Sequence, residues 1–545
     1  MDATKEIRAL KLIILFLSAI NTPMQVTAEA YTLDFKESDS LSRYISNIPN
    51  QIISKQGIEW GEMANVDVNK VTSADTLYLS LKNEHIELHA IFRNEDNSCS
   101  YTHYESSDKS AQAYVSILEN NIYANLSTSW GNYHVQSISD NQVIALRYES
   151  DISEEPENIG YADVEDISEE DVHTMRDATT PVLRVLFLYT NAALNLMGSY
   201  QPYVQMRQVV YNYINTANES FSNSNINARM QLAYIGPTDY NESSHTWSEA
   251  LNHFYGQGDG YMDEVHTLRN KYAADICVLF LDKSIYCGEA KTIKANATTA
   301  FCLVYPIYGC NYKFTAVHEI GHLVGCRHNR SIDSSLSPYT YGHGYIHYVE
   351  DYPASSWRTM MSYDNSCNTG CGRIPYWSSP NVYYNGVVTG TTTYENNARV
   401  WNERAGTVSA FRNRGDTLFY TSSNNNTLAL FESIEAETRI TTSGGFEVQS
   451  GQIVEMCAPT IRLTANTHIK SGAKFLASAS NNGNINTYPQ FEKRRIDASV
   501  KDIPVLETNP SPTSSSATKI LRDGQVLIER SGHTYTVIGA LVNSF

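Results

Sequence analysis

No stretch of the 545-residue chain reaches the roughly 20 consecutive apolar residues that a membrane-spanning helix needs. Cationic side chains are scarce as well. Lys and Arg number 40 against 59 Asp and Glu, a formal net charge of -19. That deficit argues against a nucleic-acid partner and against an anionic membrane surface. Cysteine is sparse and unevenly placed: of nine, only Cys99 precedes Cys277. In an exported protein such a cluster reads as disulfides, with at least one cysteine left over. Spacing alone suggests Cys287 with Cys310 and Cys367 with Cys371, leaving Cys277, Cys302, Cys326 and Cys457 unassigned.

What is present divides the chain into segments. Lys5, Arg8 and Lys11 precede the apolar run Leu12 to Ile20, and Ala28-Glu29-Ala30 offers small residues where a signal peptidase reads. Residues 1–30 are therefore expected to be a secretory signal peptide cut after Ala30, which makes the protein secreted and extracellular. Residues 31–150 read as a β-rich domain, with alternating runs such as Leu77 to Leu81 between polar turns. Residues 151–180 hold Glu154, Glu155, Glu157, Asp163, Glu165, Asp166, Glu169, Glu170 and Asp171 with no Lys or Arg before Arg176. Such a run self-repels, stays solvated and is open to proteolysis. A signal, a domain and a cleavable linker ahead of the next region suggest a zymogen with a prodomain.

From 181 to 414 the pattern becomes α/β. Val182 to Tyr189 is nearly continuous in apolar residues, with Arg184 the one interruption, as in a buried parallel strand. Met206, Val209, Val210, Tyr213, Ile214, Ala217 and Phe221 recur at helical spacing. A strand at Ala228–Ile235, a helix around Met262–Tyr272 and a strand at Ala274–Leu281 follow, implying right-handed crossovers over a mostly parallel sheet. Thr299–Tyr305 reads as a short strand. It is either an edge that an extended substrate could join or one more strand of the sheet.

The informative stretch is HEIGHLVGCRH, residues 318–328. His318 and His322, four apart, project from one helical face and can share a zinc ion. Gly325 can take the sharp turn that ends the helix, and His328 returns as a third nitrogen ligand with one zinc position open. Glu319 is placed to act as general base on water rather than as a ligand. Beyond it, His343 and His347 read as surface histidines. Calcium stays open, with no ligand-spaced loop to support it.

Arg358-Thr359-Met360-Met361-Ser362-Tyr363 follows within reach of the metal site. With these residues the chain resembles the metzincin zinc endopeptidases. Arg373 to Val382 and Asn396 to Val400 are similar to the secreted bacterial peptidyl-Asp-type and reprolysin-like members. The resemblance covers roughly residues 181–414 and, faintly, the prodomain. It implies a metzincin catalytic domain, a twisted mostly parallel sheet with a zinc-binding helix and a Met-turn, acting on proteins or peptides. Met361 would be the methionine beneath the metal. Tyr363 matches a tyrosine that, in astacin-like and serralysin-like members, reaches the zinc or stabilises the transition state. The stretch after the Met-turn would wall the pocket for the side chain just past the scissile bond. One departure puts the subfamily in question: reprolysin-like members carry Asp after the third histidine, where this chain has Asn329. Latency could come from the Cys99 thiolate on the open zinc position, or from an acidic prodomain residue in its place.

The remainder is expected to be all-β. Residues 415–480 show a 21-residue repeat: Ile440, Val448, Ser450 and Gly451 align with Ile461, Ile469, Ser471 and Gly472, and Ala458 with Ala479. Stacked hairpins or a short solenoid would produce it. Residues 481–517 read as linker and 518–545 as a terminal hairpin unit around Asp523-Gly524. Sorting, docking to a cell surface and docking to substrate are all open for this region. The leading expectation is a secreted zinc endopeptidase. The alternative is an extracellular adhesin or binding protein on an inactive metzincin fold, which would typically lack Glu319 or a ligand.

Overall fold

Val182–Thr190, buried along its whole length, is the axis of the architecture. In the computed structural model the described residues are 30–36, 58–148, 180–479 and 518–542, less breaks of one to eight residues. A strand apolar on both faces has to be covered on both. This one, β1, lies inside a five-stranded sheet with β2 (Arg229–Thr238) and β3 (Ile276–Phe280) parallel on either side. β4 (Gly288–Ala290) forms the edge, antiparallel to β5 (Phe301–Val304), which continues parallel from β3. The strand expected at Thr299–Tyr305 is therefore interior. Both its sides are hydrogen-bonded, so the edge that an extended chain could join belongs to β4.

Helices cover the sheet. α1 (Pro202–Asn223) begins at a proline, whose fixed φ suits a first turn, and buries Met206, Val209, Val210, Tyr213, Ile214, Ala217 and Phe221. α2 (Trp247–Tyr255) starts from a reciprocal cap: Thr246 Oγ1 accepts from Glu249 N at 3.2 Å and Glu249 Oε2 accepts from Thr246 N at 2.7 Å. α3 (Glu264–Lys271) and α4 (Thr315–Val324) correspond to expected helices, while α2 and α5 (Asn397–Val408) add to them. Among the described residues no helix is long and apolar enough to cross a membrane.

The N-terminal part is a nine-stranded sheet in which Thr76–Leu81 through Gln142–Tyr148 follow one another as antiparallel neighbours. Ala30–Asp34 and Ile58–Asn65 occupy its two ends, and a bridge from Lys36 to Met63 links those ends. It rests on α1 through polar contacts. Gln208 Nε2 donates to the carbonyls of Ser116 (3.0 Å) and Asn121 (2.8 Å), and Asn121 Nδ2 donates to Gln201 Oε1 at 2.8 Å. Leu118 and Tyr123 join the core of the α/β domain at the same place.

Between Gly415 and Ala479 the C-terminal part is wound in parallel, and Thr518–Arg522, Gln525–Arg530, His533–Thr536 and Leu541–Val542 extend it as antiparallel strands. Phe431–Thr442, β6, pairs in parallel with Ile453–Ala458 and with Thr460–Leu463. Ile440 faces Ile461, Val448 faces Ile469 and Ala458 faces Ala479, a register of 21 residues per turn. Ile440, Val448, Val454, Met456 and Ile461 fill its interior. β6 also explains the interruption in β1. Arg184, 1% exposed, forms an ion pair with Glu435, which Arg414 meets at 3.1 Å. Glu432 on the same strand takes Lys271 at 2.9 Å and the Tyr272 hydroxyl. A buried guanidinium is tolerable only when paired, and its partner comes from the distant coil.

Candidate metal centre

α4 carries the first two histidines, and its ends set the third. Phe314, with φ 56°, opens the helix in a left-handed conformation. At the other end Gly325 adopts φ 126°, which disfavours any side chain, and the helix stops there. The amides of Gly325 (3.1 Å) and Cys326 (2.9 Å) both close on the Gly321 carbonyl, turning the chain sharply back. His328 arrives on that return.

His318, His322 and His328 are 2%, 0% and 6% exposed, and their nitrogens cluster within 4.8 Å. His328 Nε2 stands 3.2 Å from His318 Nε2 and 2.9 Å from His322 Nε2. The opposite ring nitrogens are engaged elsewhere: His318 Nδ1 with the Met360 carbonyl at 2.8 Å, His322 Nδ1 with the Cys326 carbonyl at 2.9 Å. A carbonyl only accepts, so in both rings Nδ1 carries the proton and Nε2 presents a lone pair. His328 Nε2 stands beside both lone pairs, where one cation can take all three nitrogens. Nitrogens held about 2.0–2.1 Å from a tetrahedral zinc stand about 3.3 Å apart, so this donor set fits zinc.

Glu319 is fully buried beside the ligands, against the edge strand. A Cβ at Gly288 of β4 would stand 2.6 Å from Thr315 Cγ2 and closer still to Glu319 Oε1. The missing side chain is what lets β4 lie against this carboxylate. Cys287, next to Gly288, is disulfide-bonded to Cys310, which anchors the edge strand to the segment leading into α4. Cys367 and Cys371 form the second disulfide. Cys277, Cys302, Cys326 and Cys457 are buried thiols. Burial pushes the Cys326 thiol pKa well above its usual value and its side-chain neighbour is Asn397, so it makes a poor fourth ligand.

Met361 packs under the helix: a Cβ on Gly321 would come within 2.6 Å of Met361 Sδ and 2.9 Å of the Trp377 ring. Tyr363 lies with its ring centroid 4.2 Å from that of His328. Asn329, the departure noted above, has a defined task. Its Oδ1 accepts from the Tyr363 backbone N–H at 3.0 Å and its Nδ2 donates to Ser331 Oγ at 2.6 Å. The residue after the third histidine thus ties the ligand loop to the tyrosine.

His343 corrects an expectation. It is fully buried, with Nδ1 2.8 Å from the His328 carbonyl, and so helps to fix the return loop. Its place between Gly342 and Gly344 is the one hint in sequence, since small neighbours let a ring be enclosed. His347 is half-buried with its ring 5.2 Å from Trp357. Cys99 begins the strand Cys99–His103, and its side chain lies outside the described residues, as do residues 1–29, 151–179 and 481–517.

Residues 179–378 match the Reprolysin_5 family, metallo-peptidase family M12. A peptidyl-Asp metalloendopeptidase of Stenotrophomonas maltophilia (strain K279a) is 38% identical over 282 residues, covering 52% of this chain and 64% of that protein. Its counterpart in strain R551-3 is 42% identical over 234 residues, covering 43% and 54% respectively. In these relatives the chain thus spans between about half and two thirds of their length. The peptidyl-Asp metalloendopeptidase of Pseudomonas fragi is 33% identical over 196 residues, 36% of this chain and 99% of that protein. With nearly all of that relative accounted for within its own length, the chain belongs to metallopeptidase family M12.

Proposed function

We propose that the chain is a secreted zinc-dependent endopeptidase, made as a zymogen, that cuts protein chains beside aspartate. The observation that carries the reading is the convergence of three imidazole Nε2 atoms beside a buried glutamate. The substrate preference comes from the names of the relatives and the export and latency from the sequence. An inactive adhesin is not favoured, because the donor set and Glu319 are all present.

Bound between the histidines, zinc would supply Lewis acidity, polarising the scissile carbonyl and acidifying a water. The rest falls to the chain's own groups. β4 offers an edge to which an extended substrate can add as a further strand, bringing its main chain past Glu319. Glu319 takes the proton from the attacking water and returns it to the leaving amine. Tyr363, whose backbone N–H is held by Asn329, would donate a hydrogen bond to the oxyanion as charge develops. The N-terminal sheet contacts α1, on which the α4 helix also packs.

The test is Glu319→Ala in the processed enzyme. Casein zymography should lose its chelator-sensitive band, while zinc content by atomic absorption stays at one per chain. Near-normal proteolysis by this variant would remove Glu319 from the mechanism.

A further inference from the structure

The three metal-facing histidines are not held alike. His318 and His322 lie one turn apart on α4, and the helix itself sets their spacing. His328 lies beyond Gly325, in a loop. A loop that must be ordered at the moment of binding weakens that binding, so a ligand placed there calls for a backbone that is already fixed.

The tripeptide Gly342-His343-Gly344 does the fixing. The Arg327 N–H donates to the Gly342 carbonyl at 2.7 Å, and the Gly344 N–H donates to the Arg327 carbonyl at 3.0 Å. Between these two bonds the His343 ring reaches one residue further, with Nδ1 2.8 Å from the His328 carbonyl. A carbonyl only accepts, so Nδ1 carries the proton. The ring is fully buried, and a side-chain donor enclosed in this way has one geometry available to it.

The tripeptide is in turn tied into the body of the domain. The His343 N–H donates to the Tyr394 carbonyl at 3.0 Å, and the His343 carbonyl accepts from Ser378 Oγ at 2.6 Å. Asn397 of α5 donates from Nδ2 to the Gly342 carbonyl at 2.6 Å and from its backbone N to Ser378 Oγ at 2.9 Å. On its other side Gly344 presses on the Met-turn, where an added Cβ would stand 3.0 Å from Met361 C and from Ser362 N. One short segment therefore spans α5, the turn that packs under α4 and the loop of the third histidine.

We propose that His343 is a positioning residue of the metal centre, whose Nδ1–H holds the His328 backbone so that the third imidazole is in place before the metal arrives. It acts through His328 alone. The proposal rests on the zinc reading of the three histidines.

The experiment titrates the zinc-stripped full chain with zinc in competition with a chromophoric chelator, and with cobalt, whose visible absorption reports ligand geometry. Asparagine carries its amide nitrogen where the Nδ1 of histidine stands, and glutamine carries it where Nε2 stands. His343→Gln should lose the donor and bind zinc about ten- to hundredfold more weakly, with an altered cobalt spectrum, as expected for a group that orients a metal ligand. His343→Asn should keep the wild-type cobalt spectrum and an affinity within about threefold of wild type, because the donor is restored. A purely structural role would lower the Tm of the zinc-free chain in both variants and leave affinity and spectrum unchanged, which would overturn the proposal. An asparagine variant weakened about tenfold or more would overturn it too, and that result stands even if the glutamine variant does not fold. A wild type that takes up neither metal refutes the metal centre itself. A wild type that binds tightly, matched by His343→Gln, refutes the role of His343 alone.

Discussion

Replacing Glu435 with glutamine isolates the energetic role of the contact between the catalytic domain and the coil. The substitution keeps the shape of the side chain and removes its charge, leaving Arg184 without its ion-pair partner at 1% exposure in a central strand. Breaking a buried pair from one side costs about 3–5 kcal/mol, because the remaining charge is still desolvated. The other contact adds little: Arg414, 21% exposed, can turn towards water. The same arithmetic predicts that Arg184→Met with Glu435→Leu recovers most of the loss, since apolar groups of similar volume replace the pair. At about 3 °C per kcal/mol for a domain of this size, Glu435→Gln should lower Tm by roughly 10 °C. Urea unfolding of the wild type, Glu435→Gln, the single variants Arg184→Met and Glu435→Leu, and their double variant, followed by tryptophan fluorescence, measures both the loss and the cycle. A Glu435→Gln loss below about 1 kcal/mol, or a double variant as weak as the two single losses added, would refute the reasoning.

Two further outcomes are expected. Gly288→Ala should push β4 away from Glu319 and lower kcat by about tenfold or more, with zinc content unchanged; kcat within twofold of wild type would count against the contact. In the N-terminal sheet, His134 is fully buried between Asn125 and Gln136, and burial depresses its pKa to about 3. The native state resists protonation that the unfolded state accepts near pH 6.5, so this stability is present above pH 6.5 and is lost as pH falls towards 3. The slope is at most about 1.4 kcal/mol per pH unit. Hydrogen exchange of Gly131–Ser139 in the full chain, corrected for intrinsic rates, should show this decline, and His134→Gln should flatten it; equal slopes in both proteins would rule it out.

Much of the site was legible because its logic is local. An i, i+4 spacing puts His318 and His322 on one face wherever a helix forms, and a glycine able to take φ 126° permits the return to His328. The buried strands announced themselves as apolar runs, as β1 does. What escaped depends on distance. β4 has three residues, too few for any periodicity, and its character comes from Gly288 meeting a glutamate on another element. Arg184 looks like a flaw in a strand until Glu435 is brought to it. His343 reads as a surface histidine beyond the metal motif, whereas the fold buries it against the His328 carbonyl. A repeat of 21 residues is equally compatible with hairpins and with a parallel winding, and only strand direction separates them.

That winding has a consequence for how the C-terminal region can change over generations. Because Val448 lies over Ile469 and Ala458 over Ala479, each turn presents the next with the same interior surface. Insertions or deletions of a whole turn preserve this stacking, whereas fractional ones rotate apolar residues outward. The docking glutamates, Glu432 and Glu435, lie on β6, in the first of the stacked turns. The coil can therefore lengthen or shorten at its far end in steps of one turn while its grip on the catalytic domain stays constant.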